Sequence, residues 1–257
     1  MLRNNRAFLK AHDWSSTPDI ETDQQKNIPP PPYQKEYPEE AILIDLIKPE
    51  KIKLGQISLM TAINNRKSRR GFINHPFTLE ELSFLLWVTQ GIKEFDNDLR
   101  HGAKTSKRTV PSGGSRHPFE TYLVINKVES LESGIYRYLA VEHKLLFVQK
   151  GIEFVERVAE ICIHQNFISN AGIIFLWAVI PYRSEWRYNI AAHKSIAIEV
   201  GHICQNLYLA CEAIEAGTCA IAAYHQESID SLLQLDGSDE FIIYIAPVGK
   251  IKVRRKE

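Results

Sequence analysis

Arg66, Lys67, Ser68, Arg69 and Arg70 place four cations and a hydroxyl within five residues. An arginine presents a planar fork matched to phosphate oxygens, and Ser68 adds a neutral donor. A charged run is either a solvated patch or an anion site. This one follows an apolar segment and leads into Phe72, which favours side chains turned inward. The stretch from Arg108 to Asn126 offers a second kind of chemistry. Pro111 fixes its own φ, Gly113 and Gly114 leave main-chain N–H groups unscreened, and Ser112 and Ser115 bring hydroxyls. Such a loop suits a flat polar ligand held against backbone. A third set, Lys250, Lys252, Arg254 and Arg255, follows the last apolar segment and is either a second phosphate contact or a solvated tail. Two basic clusters and a bare loop fit a mononucleotide that bears a flat ring. Gly249-Lys250 lacks the remaining residues of a P-loop and no GxGxxG follows a strand, so neither of those nucleotide sites is supported.

These residues need elements to hold them. A short helix from Ser58 to about Asn65 delivers the basic run. Thr78-Leu79-Glu80-Glu81 reads as a capping box, and Leu79, Leu82, Leu85 and Leu86 recur at helical spacing up to Gly91. Thr121–Asn126 is an apolar strand that steadies the glycine loop. Gly134–Leu139 and Lys144–Gln149 read as an antiparallel hairpin. A helix over about 152–165, a strand at Ile173–Ile180 and a long helix over about 190–216 come next. A strand at Thr218–Tyr224, a short helix near 228–233 and a strand at Phe241–Ala246 complete the chain. On the long helix Ser195, Glu199, His202 and Asn206 make one narrow polar stripe, and apolar residues cover the other directions. Such a helix is either the middle of a monomer or, as read here, the seam of a homodimer. Loosely alternating helices and strands with one embedded hairpin give an α+β fold, a mixed sheet packed by helices. Residues 1–56 are polar and proline-rich, with Pro29–Pro32 extended, and form an arm that lies over the domain or a partner, or else is disordered; residues 57–257 form the folded domain.

Composition narrows the partners. At 257 residues and 44% hydrophobic content the chain can bury a sizeable core. Lys+Arg and Asp+Glu are equal at 31, which argues against a nucleic-acid or electrostatic membrane partner. The apolar run from Gly172 to Pro181 is too short to span a bilayer, and MLRNNRAFLK lacks a signal peptide's apolar stretch. Cys162, Cys204, Cys211 and Cys219 show no metal-ligand spacing, so no metal is expected; they read as free thiols in a reducing cytoplasm. No GxSxG turn supports hydrolase chemistry.

The segments RKSRR, FTLEELSFLLWVTQGI, RTVPSGGSRHPFETYLVI, SGIYRYLAVEHKLL, YRSEWRYNIAAHKSIAIEVGHICQNLYLACEAIEAGTCAIAAY and IIYIAPVGK, in that order, resemble the nitroreductase-like flavoproteins. Within them the chain is similar to the SagB/ThcOx-type dehydrogenases, relatives of the azoline oxidases of thiazole/oxazole peptide biosynthesis. The likeness runs from about Leu54 to Gly249. It implies the FMN-dependent nitroreductase fold, a mainly antiparallel sheet in an intertwined homodimer, with FMN at the subunit interface. The family's R-x-S motif falls on Arg66, Lys67 and Ser68. Its P-S-x-x-N loop falls on Pro111, Ser112, Gly113, Gly114 and Ser115, with serine in place of the usual asparagine. Ile221, Ala222 and Ala223 match the backbone beside the flavin's N5 and O4 edge. Better-known relatives carry Glu-Gly there, and this chain has Ala223-Tyr224. Lys252 and Arg254 match the family's basic pair near the carboxyl end, and His193-Lys194 stands where the branch often shows Tyr-Arg.

What the resemblance implies is hydride exchange through FMN, with NAD(P)H or oxygen on one side and an unidentified small or peptide-borne substrate on the other. FMN supplies the redox chemistry and the protein supplies binding and orientation. Azoline dehydrogenation of a modified peptide and a flavin-binding module without turnover are the alternatives. Trp186, Arg187, Tyr188 and Tyr224 either line a substrate slot or belong to the core. The candidates for moving a proton are His193, Lys194 and Tyr224, with His202 a further titratable group on the long helix.

Overall fold

The computed structural model describes residues 6–11, 14–15, 19–96 and 105–252. Among the described residues nine strands occur, in chain order: β1 (Leu43–Asp45), β2 (Ile92–Asp96), β3 (Thr105–Arg108), β4 (Phe119–Ile125), β5 (Gly134–Leu139), β6 (Lys144–Lys150), β7 (Ile173–Val179), β8 (Ala216–Thr218) and β9 (Phe241–Lys250). The helices are α1 (Leu59–Asn65), α2 (Leu79–Gln90), α3 (Phe154–Ile161), α4 (Tyr182–Tyr188), α5 (Ala192–Ala213) and α6 (Gln226–Leu232). Seven strands form one sheet in the order β1-β6-β5-β4-β7-β9-β8, and β2 and β3 form a separate hairpin.

The fold is α+β, as the segment pattern predicts, but the sheet is not mixed. Every strand pairing is antiparallel, and the parallel contact found among the described residues is an isolated bridge between Phe77 and Val128. The strands that become neighbours, β4 beside β7 and β7 beside β9, are far apart in the chain. Alternation along the sequence therefore does not force the parallel crossovers that a βαβ unit would need. β4 and β7 are buried at every position, as expected for continuous apolar runs covered on both faces.

Two cores sandwich the sheet. On one face Leu123, Phe175 and Trp177 meet Leu82, Leu85 and Leu86 of α2 and Ile196, Val200, Ile203 and Leu207 of α5. The three α2 leucines are fully buried, each worth about 1.5–3 kcal/mol of transfer free energy. The predicted capping box starts that helix: Thr78 Oγ1 accepts from the Glu81 amide and Glu81 accepts from the Thr78 amide. On the opposite face Val124, Ile174 and Leu176 meet Phe154, Val155 and Val158 of α3 and Ile229 and Leu232 of α6.

Three features differ from the sequence reading. α5 does not bury its whole circumference: Ala197, Ile198, Gly201 and Gln205 are exposed. Its polar stripe divides, with Ser195 and Glu199 turned to the glycine loop, Asn206 donating to the Val88 carbonyl, and His202 in solvent. The strand expected at 218–224 is β8 alone, followed by an isolated bridge from Ile221 to Ile245. The described part of the arm adds a strand to the sheet, since β1 pairs with Lys144–Leu146 of β6. Its proline-rich part is held by its carbonyls: Ile28 accepts from Trp186 Nε1, Tyr33 from Arg108, and Lys35 and Glu36 from Arg137.

Candidate functional site

The basic loop starts where α1 ends, with Arg66 as its C-cap. Its residues diverge in role. Arg69 turns back to Glu212 of α5, with Nε and Nη2 donating to Oε1 at 3.1 and 3.0 Å and Nη2 to Oε2 at 2.8 Å. The Arg69 amide also donates to the Thr218 carbonyl, so this residue fastens the loop. Arg66 instead lies over the ring of Tyr208, 5.6 Å from its centroid, and no acid among the described residues pairs with it. Ser68 Oγ is 3.2 Å from the Tyr208 hydroxyl, which also accepts from the Ala220 amide at 2.9 Å. Lys67 and Arg70 are exposed, Arg70 resting over the Phe167 ring. Tyr208 thus joins the R-x-S residues to the segment after β8. Sequence reasoning misses it, because an aromatic in an apolar helix reads as core.

That segment presents bare backbone. Ile221 is buried and exchanges both main-chain bonds with Ile245. Ala223 offers its carbonyl to Ile163, and the His225 amide donates to the Ile161 carbonyl. None of the backbone bonds among the described residues uses the amides of Ala222, Ala223 or Tyr224, and Ala222 and Ala223 are exposed. The tail contributes less than its charge suggests. Lys250 is tied to Glu81 and to the Ile214 carbonyl, Lys252 is exposed, and Arg254 lies outside the described residues.

The glycine loop lies toward the other end of α5. The Gly113 amide donates to Glu199 Oε1 at 2.8 Å, and Ser195 Oγ donates to the same oxygen at 3.1 Å. The second Glu199 oxygen is buried without a partner. Ser112 Oγ accepts from the His117 amide, and its carbonyl from Ser115; Pro111 is exposed. Gly114 sits at φ +56°, and a Cβ there would meet the Tyr188 hydroxyl at 2.6 Å and Arg187 Cδ and Nε at 2.7 and 2.8 Å. Only glycine meets both demands. Ser115 also has positive φ, at 54°. Below the loop His117 is buried, and desolvation and the Arg108 charge hold its imidazole down at about 3.

A model of the nitroreductase family matches residues 63–250, a span that contains both loops. The chain belongs to the nitroreductase family. It is 28% identical over 197 residues to MJ1384 of Methanocaldococcus jannaschii, named as a nitroreductase, with 77% of this chain and 93% of that protein covered. Among solved structures it is similar in fold to a protein of Anabaena variabilis, also named as a nitroreductase. The TM-score is 0.71 at 22% identity, covering 91% of this chain and 43% of that one, less than half its length. It is also similar in fold to a chain of the E. coli microcin synthetase McbBCD complex, solved with truncated pro-MccB17. There the TM-score is 0.60 at 18% identity, covering 81% of this chain and 78% of that one.

In this nitroreductase-family chain the candidate proton carriers are engaged. Tyr224 donates its hydroxyl to the Ile242 carbonyl, and burial raises its pKa further above the usual tyrosine value, with Asp230 adding to it. His193 Nε2 lies 2.7 Å from Glu185, and Lys194 donates to the Leu9 carbonyl of the arm at 2.6 Å. Trp186 is buried and held by the arm, whereas Arg187 and Tyr188 are half-buried against the glycine loop. All four cysteines are buried and free, and burial pushes the Cys162 and Cys204 thiols up to about 12. Among the described residues no cluster suits a metal ion and no helix is long and apolar enough to cross a membrane.

Proposed function

We propose that this chain is an FMN-dependent oxidoreductase of the SagB/ThcOx-type branch that works as a homodimer. The observation that carries the reading is the meeting of Arg66, Ser68 and the Ala220–Tyr224 backbone around Tyr208, beside exposed amides without partners. Arg66 carries no ion pair among the described residues and so is available to a phosphate, and Ser68 stands near it to add a hydroxyl. Gly114 lets Tyr188 and Arg187 pack directly on the loop, where a Cβ would clash with them. When bound, FMN would accept a hydride at N5 and pass it on, so two electrons from NAD(P)H reach an acceptor in separate half-reactions. The chain's own part is to neutralise the phosphate with Arg66 and Lys252, to point the Ala222 and Ala223 amides at the ring edge, and to hold the glycine loop still through Glu199.

Two facts support the dimer. Glu199 and Tyr208 are nine positions apart on α5, about 13 Å along its axis, so each protomer offers its two half-sites well separated. The outer side of α5 also leaves Ile198 51% exposed, and Leu59, Met60 and Ile63 of α1 are exposed by 67%, 66% and 51%. An apolar surface of this kind suits a second copy of the chain.

Likeness to a chain of the McbBCD complex, solved with a truncated peptide bound, supports a second and narrower reading: the substrate is an azoline ring in a modified peptide. Such a ring would be the electron donor in place of NAD(P)H: aromatising it removes two electrons and two protons, which the bound flavin would take up and oxygen would finally accept. The purified protein should be yellow and release FMN on denaturation, and Arg66→Ala should shed the cofactor on gel filtration. A colourless protein, or retention unaffected by Arg66→Ala, overturns the assignment. Bleaching by NAD(P)H followed by reoxidation with a nitroaromatic or quinone separates an enzyme from a flavin carrier. Aromatisation of a thiazoline peptide would select the narrower reading.

A further inference from the structure

Beneath the glycine loop the interior holds more positive charge than it neutralises. Arg108, Arg116 and Arg183 are 5%, 4% and 1% exposed, and Arg187 is half-buried beside them. One carboxylate meets this group: Glu120 accepts from Arg183 Nη2 at 2.5 Å. Arg108 has the neutral partners Gln90 Oε1 and the Tyr33 carbonyl. Arg116 donates from Nε to the Arg183 carbonyl and rests over the Trp186 ring, 4.8 Å from its centroid. Among the described residues no acid pairs with Arg108, Arg116 or Arg187, and Arg183 Nη1 is buried with no partner at all. The strain shows in Arg116: burial lowers its pKa, and the Arg187 and Arg183 charges lower it further against the opposing effect of Tyr33. Uncompensated buried charge is costly unless an anion offsets it.

The accessible member of the group is Arg187. Its side chain lies over Gly114, at the point a Cβ would occupy. The amides of Gly113, Ser115 and Arg116 are all spent within the protein, and that of Gly114 appears in none of the backbone bonds. A guanidinium fork and a main-chain donor therefore stand together, with the Tyr188 ring alongside and Trp14 of the arm against it. We propose that Arg187 and the Gly114 amide, backed by Arg116, form a receptor for an oxyanion carried by a flat substrate. The shared chemistry is a carboxylate or phosphate oxygen, from an acceptor's carboxylate or from the 2′-phosphate of the reductant. The site's role in turnover rests on the flavoenzyme reading above; its affinity for an oxyanion does not.

The test uses the full-length protein as purified, with affinities measured calorimetrically. 4-Nitrobenzoate should bind about tenfold more tightly than neutral 4-nitrobenzyl alcohol, as one charge-assisted contact gives. Arg187→Met should abolish that ratio and Arg187→Lys restore part of it, with the bound-flavin spectrum unchanged. If Arg187→Met instead removes a preference for NADPH over NADH, the oxyanion is the reductant's phosphate. An Arg187→Met protein that keeps the 4-nitrobenzoate ratio and its nucleotide preference overturns the proposal, as does a wild type that shows neither preference. If the protein carries no flavin, the enzymatic reading fails. Thermal stabilisation by 4-nitrobenzoate but not by the alcohol, lost in Arg187→Met, still decides the receptor.

Discussion

The basic loop at 66–70 and the glycine loop at 111–115 are both short polar turns flanked by apolar segments, yet they spend their donors in opposite ways. The basic loop sacrifices a side chain to structure, since Arg69 is bound by both oxygens of Glu212, and keeps Arg66 and Ser68 in reserve. The glycine loop sacrifices backbone, since the Gly113 amide is bound by Glu199, and keeps Gly114 and the neighbouring Arg187. What a motif can offer a ligand is what its structural neighbours leave unclaimed. Charge density along the chain cannot reveal that remainder.

The widest gap between the two regions should appear when the carboxylates that pair their buried arginines are removed. Glu120→Ala strands Arg183 in a site where both side chains are at most 3% exposed, so a loss of about 3–5 kcal/mol in urea unfolding is expected. Glu212→Ala strands Arg69, whose side chain is 20% exposed and can reach water, and about 1.5–3 kcal/mol is expected. Equal losses would mean that burial does not distinguish the two regions. Acid should act on the glycine-loop side next. Folding holds His117 at about 3, below the ordinary histidine value near 6.5. Between those pH values the unfolded chain binds a proton that the folded imidazole refuses. Stability therefore falls as pH drops through that window, by at most about 1.4 kcal/mol per pH unit. His117→Asn should flatten that limb of a stability–pH curve, and an unchanged slope would place the titration elsewhere.

Smaller effects sharpen the contrast further. Gly114→Ala should cost about 1–3 kcal/mol, from positive φ and from contact with Tyr188 and Arg187. Gly71, at the end of the basic run, has nothing near its Cβ position and no positive φ, so Gly71→Ala should leave stability unchanged or raise it by about 0.4–1 kcal/mol. Parallel thermal melts read both. Tyr208→Phe should lose about 1 kcal/mol with the Ala220 bond, and it should loosen the cofactor in gel filtration if Tyr208 aligns the half-site. Cofactor retention equal to wild type would leave Tyr208 a purely structural residue.

Much of the fold was legible because its signals are local. The Thr78 capping box, the hairpin of β5 and β6 and the apolar runs of β4 and β7 each announce themselves within a dozen residues or fewer. α4 was not, because Tyr182–Tyr188 has no apolar period and is buried through Trp186 and Arg183, whose partners are remote. β2 and β3 were missed because their residues are mainly polar and pair with each other away from the main sheet. Both site loops could be found by composition, but their division of labour could not. The pairs Arg69–Glu212 and Lys250–Glu81 join positions far apart in the chain, so which cation is spent and which is free exists only after folding.

The place of β1 beside β6 has a practical consequence. A recombinant chain begun at Ile57, where composition turns from proline-rich to globular, would strip that strand away and leave main-chain groups of Lys144–Leu146 open to a neighbouring molecule. Arg108 and Arg137 would lose carbonyl acceptors in the same cut. Such a trimmed protein should aggregate on expression, so the arm acts as a built-in solubility guard for the sheet it completes.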